Sequence, residues 1–302
     1  MESIMKTLHP CLLAFCLLLA CAGFVHAQDT HYPAGVEGIK GASLPPPGLY
    51  IRDYNYTYWS SDYKDAGPKP FDVVANVQAP RLVLITKGMF FGGYYGADVI
   101  VPLVYQDVTI GNLSASKFEV GDIFIEPATL SWHLKKADVS VGWGIWVPSG
   151  DYNIKAPNKN NIGKGYWTNM FTGGVTYYPD KKRSWSISAL NRYELNYDRS
   201  DGLVTPGQFW TLEWGLAKSV SKTVDFGFVG YSQIQTKRSA GFASLVLRQQ
   251  AVGLGPEITF VIPQLGVSTS LRYLKEMGVQ QRPQGSIFNV TFTKLIAAPS
   301  KH

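Results

Sequence analysis

GDIFIEPATLSWHLKKADVSVGWGIWVPSGDY, residues 121–152, is the stretch whose reading decides the fold. In its second half Val139, Val141, Trp143, Ile145 and Val147 alternate with Ser140, Gly142, Gly144 and Trp146. A period of two gives a strand one apolar face and one small or polar face. The turn Leu134-Lys135-Lys136-Ala137-Asp138 folds this strand back on Phe124 to Trp132, so the unit is a β-hairpin. No helical pattern downstream could cover the apolar face. Lipid is the remaining cover, and a bilayer accepts strands only where the sheet closes on itself without an unpaired edge.

Working outward, the same alternation predicts strands at about 49–59, 71–86, 89–106, 118–134, 138–150, 164–178, 184–198, 207–220, 223–236, 249–262, 265–277 and 286–296. The fold class is therefore all-β, an antiparallel up-and-down transmembrane barrel of about twelve strands. The expected connections alternate in length. Short ones fall at Lys87-Gly88, Lys135 to Ala137, Pro179 to Lys182, Ser221-Lys222 and Pro263-Gln264. Longer ones fall at Trp59 to Pro70, Asp107 to Lys117, Asp151 to Lys164, Arg199 to Pro206, Lys237 to Arg248 and Gly278 to Gln284. Tight turns on one rim and long loops on the other mark an outer-membrane barrel. A soluble barrel or sandwich need not segregate them.

Faces follow from parity. Trp210, Leu212, Trp214 and Leu216 oppose Thr211, Glu213 and Gly215; Val252, Leu254, Ile258 and Phe260 oppose Glu257 and Thr259. Trp185, Ile187, Tyr193 and Leu195 oppose Arg192 and Glu194, with Asn191 breaking the pattern, and Leu271 and Tyr273 oppose Arg272. A basic residue facing lipid at mid-bilayer costs about 2–4 kcal/mol and an acid less, so charges gathered on one face belong to a lumen. Strand 118–134 loses phase, because Asp122 and Glu126 share parity with Leu130 and Trp132. Pro127 cannot donate to a ladder, so a bulge there is expected to turn Asp122 and Glu126 inward with Thr129, Ser131 and His133. Aromatics, 13% of the chain, gather near strand ends as interfacial girdles do.

Residues 1–27 read as a signal peptide: Lys6, an apolar run from Cys11 to Phe24, then Val25-His26-Ala27. The run is too short for a helical span, which takes about 18–20 residues. Leu18-Leu19-Ala20-Cys21 offers a lipoprotein box as the alternative. All 3 cysteines lie in this presequence, so the expected mature chain holds no disulfide and no thiolate metal site. Cleavage removes Lys6 and Glu2 and leaves the net charge at +6. That balance suits an anionic lipopolysaccharide surface or anionic solutes, and no basic run interleaved with aromatics suggests nucleic acid. The Gly- and Pro-rich stretch 28–48 is expected to be an extended lead-in with little regular structure.

The chain resembles the outer-membrane transporters named for the meta-pathway of phenol degradation. The resemblance lies in His31-Tyr32-Pro33-x-Gly35, Pro45-Pro46-Pro47-Gly48-Leu49-Tyr50, Gly121-Asp122 with Glu126-Pro127 and Leu130-Ser131-Trp132, Val147-Pro148-Ser149-Gly150-Asp151-Tyr152, Asn161-Ile162-Gly163 and Tyr166-Trp167. Ser149 stands where that family usually has Thr, and Ala297 to His302 runs past the expected last strand. The resemblance implies a closed barrel and passage of small organic, often aromatic, compounds. Lipid, lipopolysaccharide, such a solute and the barrel-assembly machinery are the expected partners.

Little points to chemistry. His31, His133 and His302 are the histidines after residue 27. Ser131 and His133 could belong to a lipid hydrolase, but two positions along a strand separate them by roughly 6–7 Å. No phosphate loop, nucleophile elbow or paired-histidine metal motif is present, so no cofactor, metal or catalytic residue is expected. Asp122, Glu126, His133, Arg192, Glu194, Glu213, Glu257 and Arg272 are the expected lumen set, acting either as a selectivity lining or as ion pairs that fill a narrow bore. The basic loop 151–165 could fold over the mouth as a gate. A barrel with a structural or surface-binding role is the rival to transport.

Overall fold

The computed structural model describes residues 30–65, 67, 69–153, 160–241 and 248–298. The expected signal peptide with its cysteines, His302 and the middle of the 151–165 loop lie outside the described residues.

Sixteen strands are present among the described residues. They are β1 (Gly48–Ser60), β2 (Phe71–Phe90), β3 (Gly93–Ile100), β4 (Leu103–Ile110), β5 (Leu113–Val120), β6 (Ile123–His133), β7 (Ala137–Val147) and β8 (Thr168–Tyr177). After them come β9 (Trp185–Asn196), β10 (Val204–Thr205), β11 (Gln208–Ser219), β12 (Val224–Lys237), β13 (Ala240–Gly241), β14 (Gln250–Ile262), β15 (Val267–Gln280) and β16 (Ser286–Ala297). The short β10 and β13 pair with each other and tie two loops together.

All other strands form one antiparallel sheet in the order β1-β16-β15-β14-β12-β11-β9-β8-β7-β6-β3-β2, with the β4–β5 hairpin beside β2. Pairing of β1 with β2 from Gly48↔Ile85 to Ser60↔Val73 closes the ring. Both β3 and β4 pair with β2, along successive lengths of it. They are one wall strand interrupted at Val101-Pro102, where proline lacks a ladder donor. Likewise β5 continues into β6 across Gly121-Asp122, and the Gly121 amide donates to the Pro102 carbonyl at 2.8 Å. Counted this way the wall is a closed twelve-strand barrel.

Two connections differ from the sequence reading. Lys87-Gly88 is no turn: β2 runs on to Phe90, and the register against β3 shifts between Ile85 and Met89. A glycine inside a strand marks such a bulge. The turn lies at Phe91 and Gly92, both at positive φ (50° and 76°), as a two-residue hairpin with the right twist requires. Nor is 107–117 a long loop, because β4 and β5 continue through it and reverse at Gly111 and Asn112. This hairpin stands beyond the barrel where much of both faces meets water, so its strands lack the alternation that betrays the others.

The remaining connections segregate as read, with tight turns and the β1 and β16 ends on one rim and the longer links on the other. In the β8–β9 turn the Trp185 and Ser184 amides donate to Asp180, holding its carboxyl down at about 2.

The bulge at Pro127 is present: register shifts between Ile125 and Ala128 against β7, and Asp122, Glu126, Thr129 and Ser131 are buried inside while Ile125 is exposed. Large apolar residues are exposed around the outside, among them Leu216, Phe226, Phe228, Leu254, Ile258, Phe288 and Phe292. Asn191 keeps its place on that face by accepting from the Trp210 indole at 3.2 Å. Asp53 is a charge that the parity rule did not anticipate there, and it accepts from the Asn55 and Gln78 amides, each at 3.2 Å.

The core is inside the ring, and the chain's own residues 30–47 supply part of it. Tyr32 and Val36 pack with Tyr54, Phe124, Trp146 and Met170, and Ala34 packs with Val229, Tyr231, Ala251, Leu274 and Ile287. The lead-in forms no strand, as read, but it lies within the bore rather than ahead of it.

Candidate functional site

A segment without regular structure inside a barrel has backbone donors that water can no longer satisfy, and each needs an acceptor. The inward carboxylates provide them. Glu194 accepts from the His31 and Tyr32 amides at 2.8 and 3.0 Å and from the Thr30 hydroxyl. Glu213 accepts from the Gly35 and Glu37 amides at 2.9 and 3.0 Å and from the Tyr32 hydroxyl at 2.6 Å. Glu257 accepts from the Ile39 amide at 2.9 Å. In the opposite sense Arg272 donates to the Gly35 and Val36 carbonyls at 2.8 and 2.6 Å.

Two of these carboxylates are also ion-paired, Glu213 with Arg192 at 2.5 Å and Glu257 with Arg272 at 2.7 Å. A buried pair repays its desolvation only with good geometry and further hydrogen bonds. Here the threaded backbone supplies those bonds. Gly38 passes so close that a Cβ on it would lie 2.0 Å from Glu257 Oε2.

The segment has a direction. Thr30 lies by Glu194 near the long-loop rim, and His31 bonds Asp122 at 2.9 Å and Thr168 at 2.8 Å. Farther along, Lys40 reaches Asp225 at 2.6 Å and Ser43 reaches Asp138 at 2.8 Å, both at strand ends on the short-turn rim. The traverse takes the fourteen residues from Thr30 to Ser43, which run irregularly, with turns at 34–35 and 39–42.

Seven of the eight residues expected in the lumen are buried inside the ring: Asp122, Glu126, Arg192, Glu194, Glu213, Glu257 and Arg272. Asp122 also accepts from the Gly150 and Lys164 amides at 2.9 and 2.8 Å, fastening the loop after β7 to the inner wall. His133 stands apart at the short-turn rim, paired with Asp138 at 3.2 Å. The Ser131 hydroxyl is buried without a hydrogen-bond partner, so the two do not form a nucleophile–base pair.

Beside the segment lies a cavity of about 220 Å³. Its walls include Tyr54, Val77, Ile100, Phe124, Trp146 and Met170. Arg52, Arg81 and Arg192 mark its polar side, where Glu37 holds Arg52 at 2.7 Å and Arg81 bridges Asp98 and Glu126 at 2.6 and 3.1 Å. Sequence reading did not single out Glu37, Arg52, Arg81 or Asp98. A signal existed for Arg52, which shares parity with Tyr54, Tyr56 and Tyr58 on β1.

Comparison with known proteins places this architecture. An outer membrane channel from Pseudomonas putida F1 superposes with a TM-score of 0.74 over 88% of this chain and 100% of that one, at 12% identity. The transport unit of the autotransporter AIDA-I from Escherichia coli gives 0.49, over 94% of this chain and 97% of that one, at 10% identity. The translocator domain of NalP from Neisseria meningitidis also gives 0.49, over 84% and 90%, at 10% identity. No curated protein matches the chain in sequence. With its profile matched across residues 57–292, from the middle of β1 into β16, the chain belongs to the family described as "Putative MetA-pathway of phenol degradation".

Proposed function

We propose that this protein is an outer-membrane channel for passive uptake of small organic compounds, with residues 30–47 constricting its bore. The observation that carries the reading is the mainly apolar cavity enclosed by the barrel beside that segment. A purely structural barrel gains nothing from keeping such a space, since unfilled interior volume forfeits contacts. In this reading Asp122, Glu126, Arg192, Glu194, Glu213, Glu257 and Arg272 set selectivity indirectly, by fixing the path of the segment that narrows the bore, and His133 acts at the short-turn rim. The family name supports a link to aromatic compounds, and the fold of the Pseudomonas channel supports a membrane setting.

The filled bore also favours the rival, a barrel that conducts nothing. Liposome swelling and planar-bilayer conductance separate the two when the full mature chain is compared with a variant lacking residues 30–47. Transport predicts measurable uptake of small neutral solutes by the full chain and a several-fold larger conductance for the deletion. A folded full chain that gives neither swelling nor conductance overturns the proposal. The absence of a Ser131–His133 bond leaves a hydrolase reading without support.

A further inference from the structure

We infer that the short-turn rim binds anionic phospholipid headgroups along one arc, from the β6–β7 turn through the β8–β9 turn to the β11–β12 turn. The inference concerns the outside of the barrel and stands whether or not the bore conducts. Six lysines carry it: Lys135 and Lys136 in the first turn, Lys181 and Lys182 in the second, and Lys218 and Lys222 at the third. All six are exposed.

The sheet order brings the six together. Strands β6, β7, β8, β9, β11 and β12 are consecutive neighbours in the wall, so the three turns follow one another around the rim. Backbone bonds join each turn to the next: the Tyr178 amide donates to the Lys136 carbonyl at 2.8 Å, and the Ser219 amide to the Ser184 carbonyl at 2.7 Å. Five strand spacings of about 4.8 Å make the arc roughly 24 Å long. Elsewhere on this rim the β14–β15 turn, Pro263 to Gly266, and the β2–β3 turn, Phe91 and Gly92, carry no charge.

The arc has more positive charge than the fold uses. Residues 134–138, 179–185 and 218–225 hold seven bases, the six lysines and Arg183, against three acids. Each acid is engaged within the chain. Asp138 accepts from Arg183 at 2.7 Å and Ser43 at 2.8 Å, Asp180 from the Ser184 and Trp185 amides at 3.0 and 2.8 Å, and Asp225 pairs with Lys40 at 2.6 Å. None of the six lysines forms an ion pair among the described residues. A row of like charges repels itself, and an anionic partner relieves that repulsion.

Position selects lipid among the possible anions. Lys218 continues the outer face of β11 one step beyond Leu216, and its ammonium lies 5.1 Å from the centroid of the Trp185 ring. Trp185 and Ile187 are 41% and 49% exposed on the outer face of β9. A tryptophan at a strand end with aliphatic neighbours marks the border between hydrocarbon and headgroups. Lys218 therefore stands at the level of the phosphates. Lysine binds phosphate as a point charge, and clusters of about four to eight bases beside a bilayer recognise anionic lipid. A soluble acidic partner would meet the turn tips and leave Lys218 unused.

The test is native mass spectrometry of the purified mature chain in a neutral detergent with equimolar dioleoylphosphatidylglycerol and dioleoylphosphatidylcholine. The expected result is at least fivefold preferential retention of the phosphatidylglycerol. The triple variant Lys181→Gln, Lys182→Gln, Lys222→Gln is expected to lower that preference threefold or more. A second triple variant at the long-loop rim, Lys237→Gln, Arg238→Gln, Arg248→Gln, is expected to leave it unchanged. All six substituted residues are exposed, so both variants should keep the heat-modifiable gel migration of the folded barrel. Equal retention of the two lipids by the wild-type barrel, an unchanged preference in the folded first variant, or an equal fall in the second would overturn the inference. So would cosedimentation with isolated peptidoglycan that the first variant loses while neither lipid is preferred, which would give the arc to the cell wall. The wild-type comparison stands even where a variant fails to fold.

Discussion

Gly38 shows what a single residue does here. It has no side chain because Glu257 and Arg272 occupy the space one would need. Gly38→Val is therefore expected to push the segment off the Glu257–Arg272 pair and to raise single-channel conductance, with the barrel still closed, since the strand-to-strand ladder is untouched. An unaltered conductance in planar bilayers would count against the segment as the constriction. The residue scale is also where sequence reading ran short. Parity placed Glu194, Glu213, Glu257 and Arg272 on the inner face, and the structure agrees. Parity gives a side and not a partner. The amides these carboxylates bind lie between 162 and 218 positions away in the chain, beyond the reach of any local pattern.

At the scale of the element most of the fold was legible, because a wall strand obeys a two-residue rule set by lipid on one side and a polar lumen on the other. The Pro127 bulge could be read because it broke that rule in a strand that otherwise kept it. The β4–β5 hairpin could not, because beyond the bilayer the rule lapses and Asp107, Ser114, Ser116 and Lys117 look like loop. Lys87-Gly88 misled for a related reason, since glycine serves a bulge as well as a turn. The two-sided environment makes a paired prediction. Leu254 in β14 is exposed on the outer face, and Leu254→Arg should cost about 2–4 kcal/mol at mid-bilayer depth. Leu254→Ile should stay within roughly 1.5 kcal/mol. Urea unfolding midpoints in lipid vesicles would measure both, and equal midpoints would mean that this face does not meet hydrocarbon.

The whole molecule is a ring built around its own leading segment, and no property of any one stretch announces that. A twelve-strand bore is wider than the roughly eight-strand one that side chains alone fill, and here the leading segment takes up much of the difference. The Gly/Pro composition of residues 28–48 said only that no regular element forms there, which holds, and it carried no information on where the segment lies. Because the bore holds acceptors already matched to this backbone, occupancy should survive cutting the covalent link. A synthetic peptide of residues 30–47, added to the deletion variant in a planar bilayer, is expected to return the current toward the full-chain level. A scrambled peptide of the same composition should not. Equal block by both would mean that the bore takes any extended chain.

The course of the segment from Glu194 at one rim to Asp138 at the other also sets an order of events in biogenesis. A hoop cannot be threaded sideways once its seam is shut. Either β1 and β2 zip together after the leading strap has been laid along the inner wall, or the strap is fed lengthwise through a finished hoop. A folded cargo fused just ahead of Thr30 is compatible with the first sequence and jams the second.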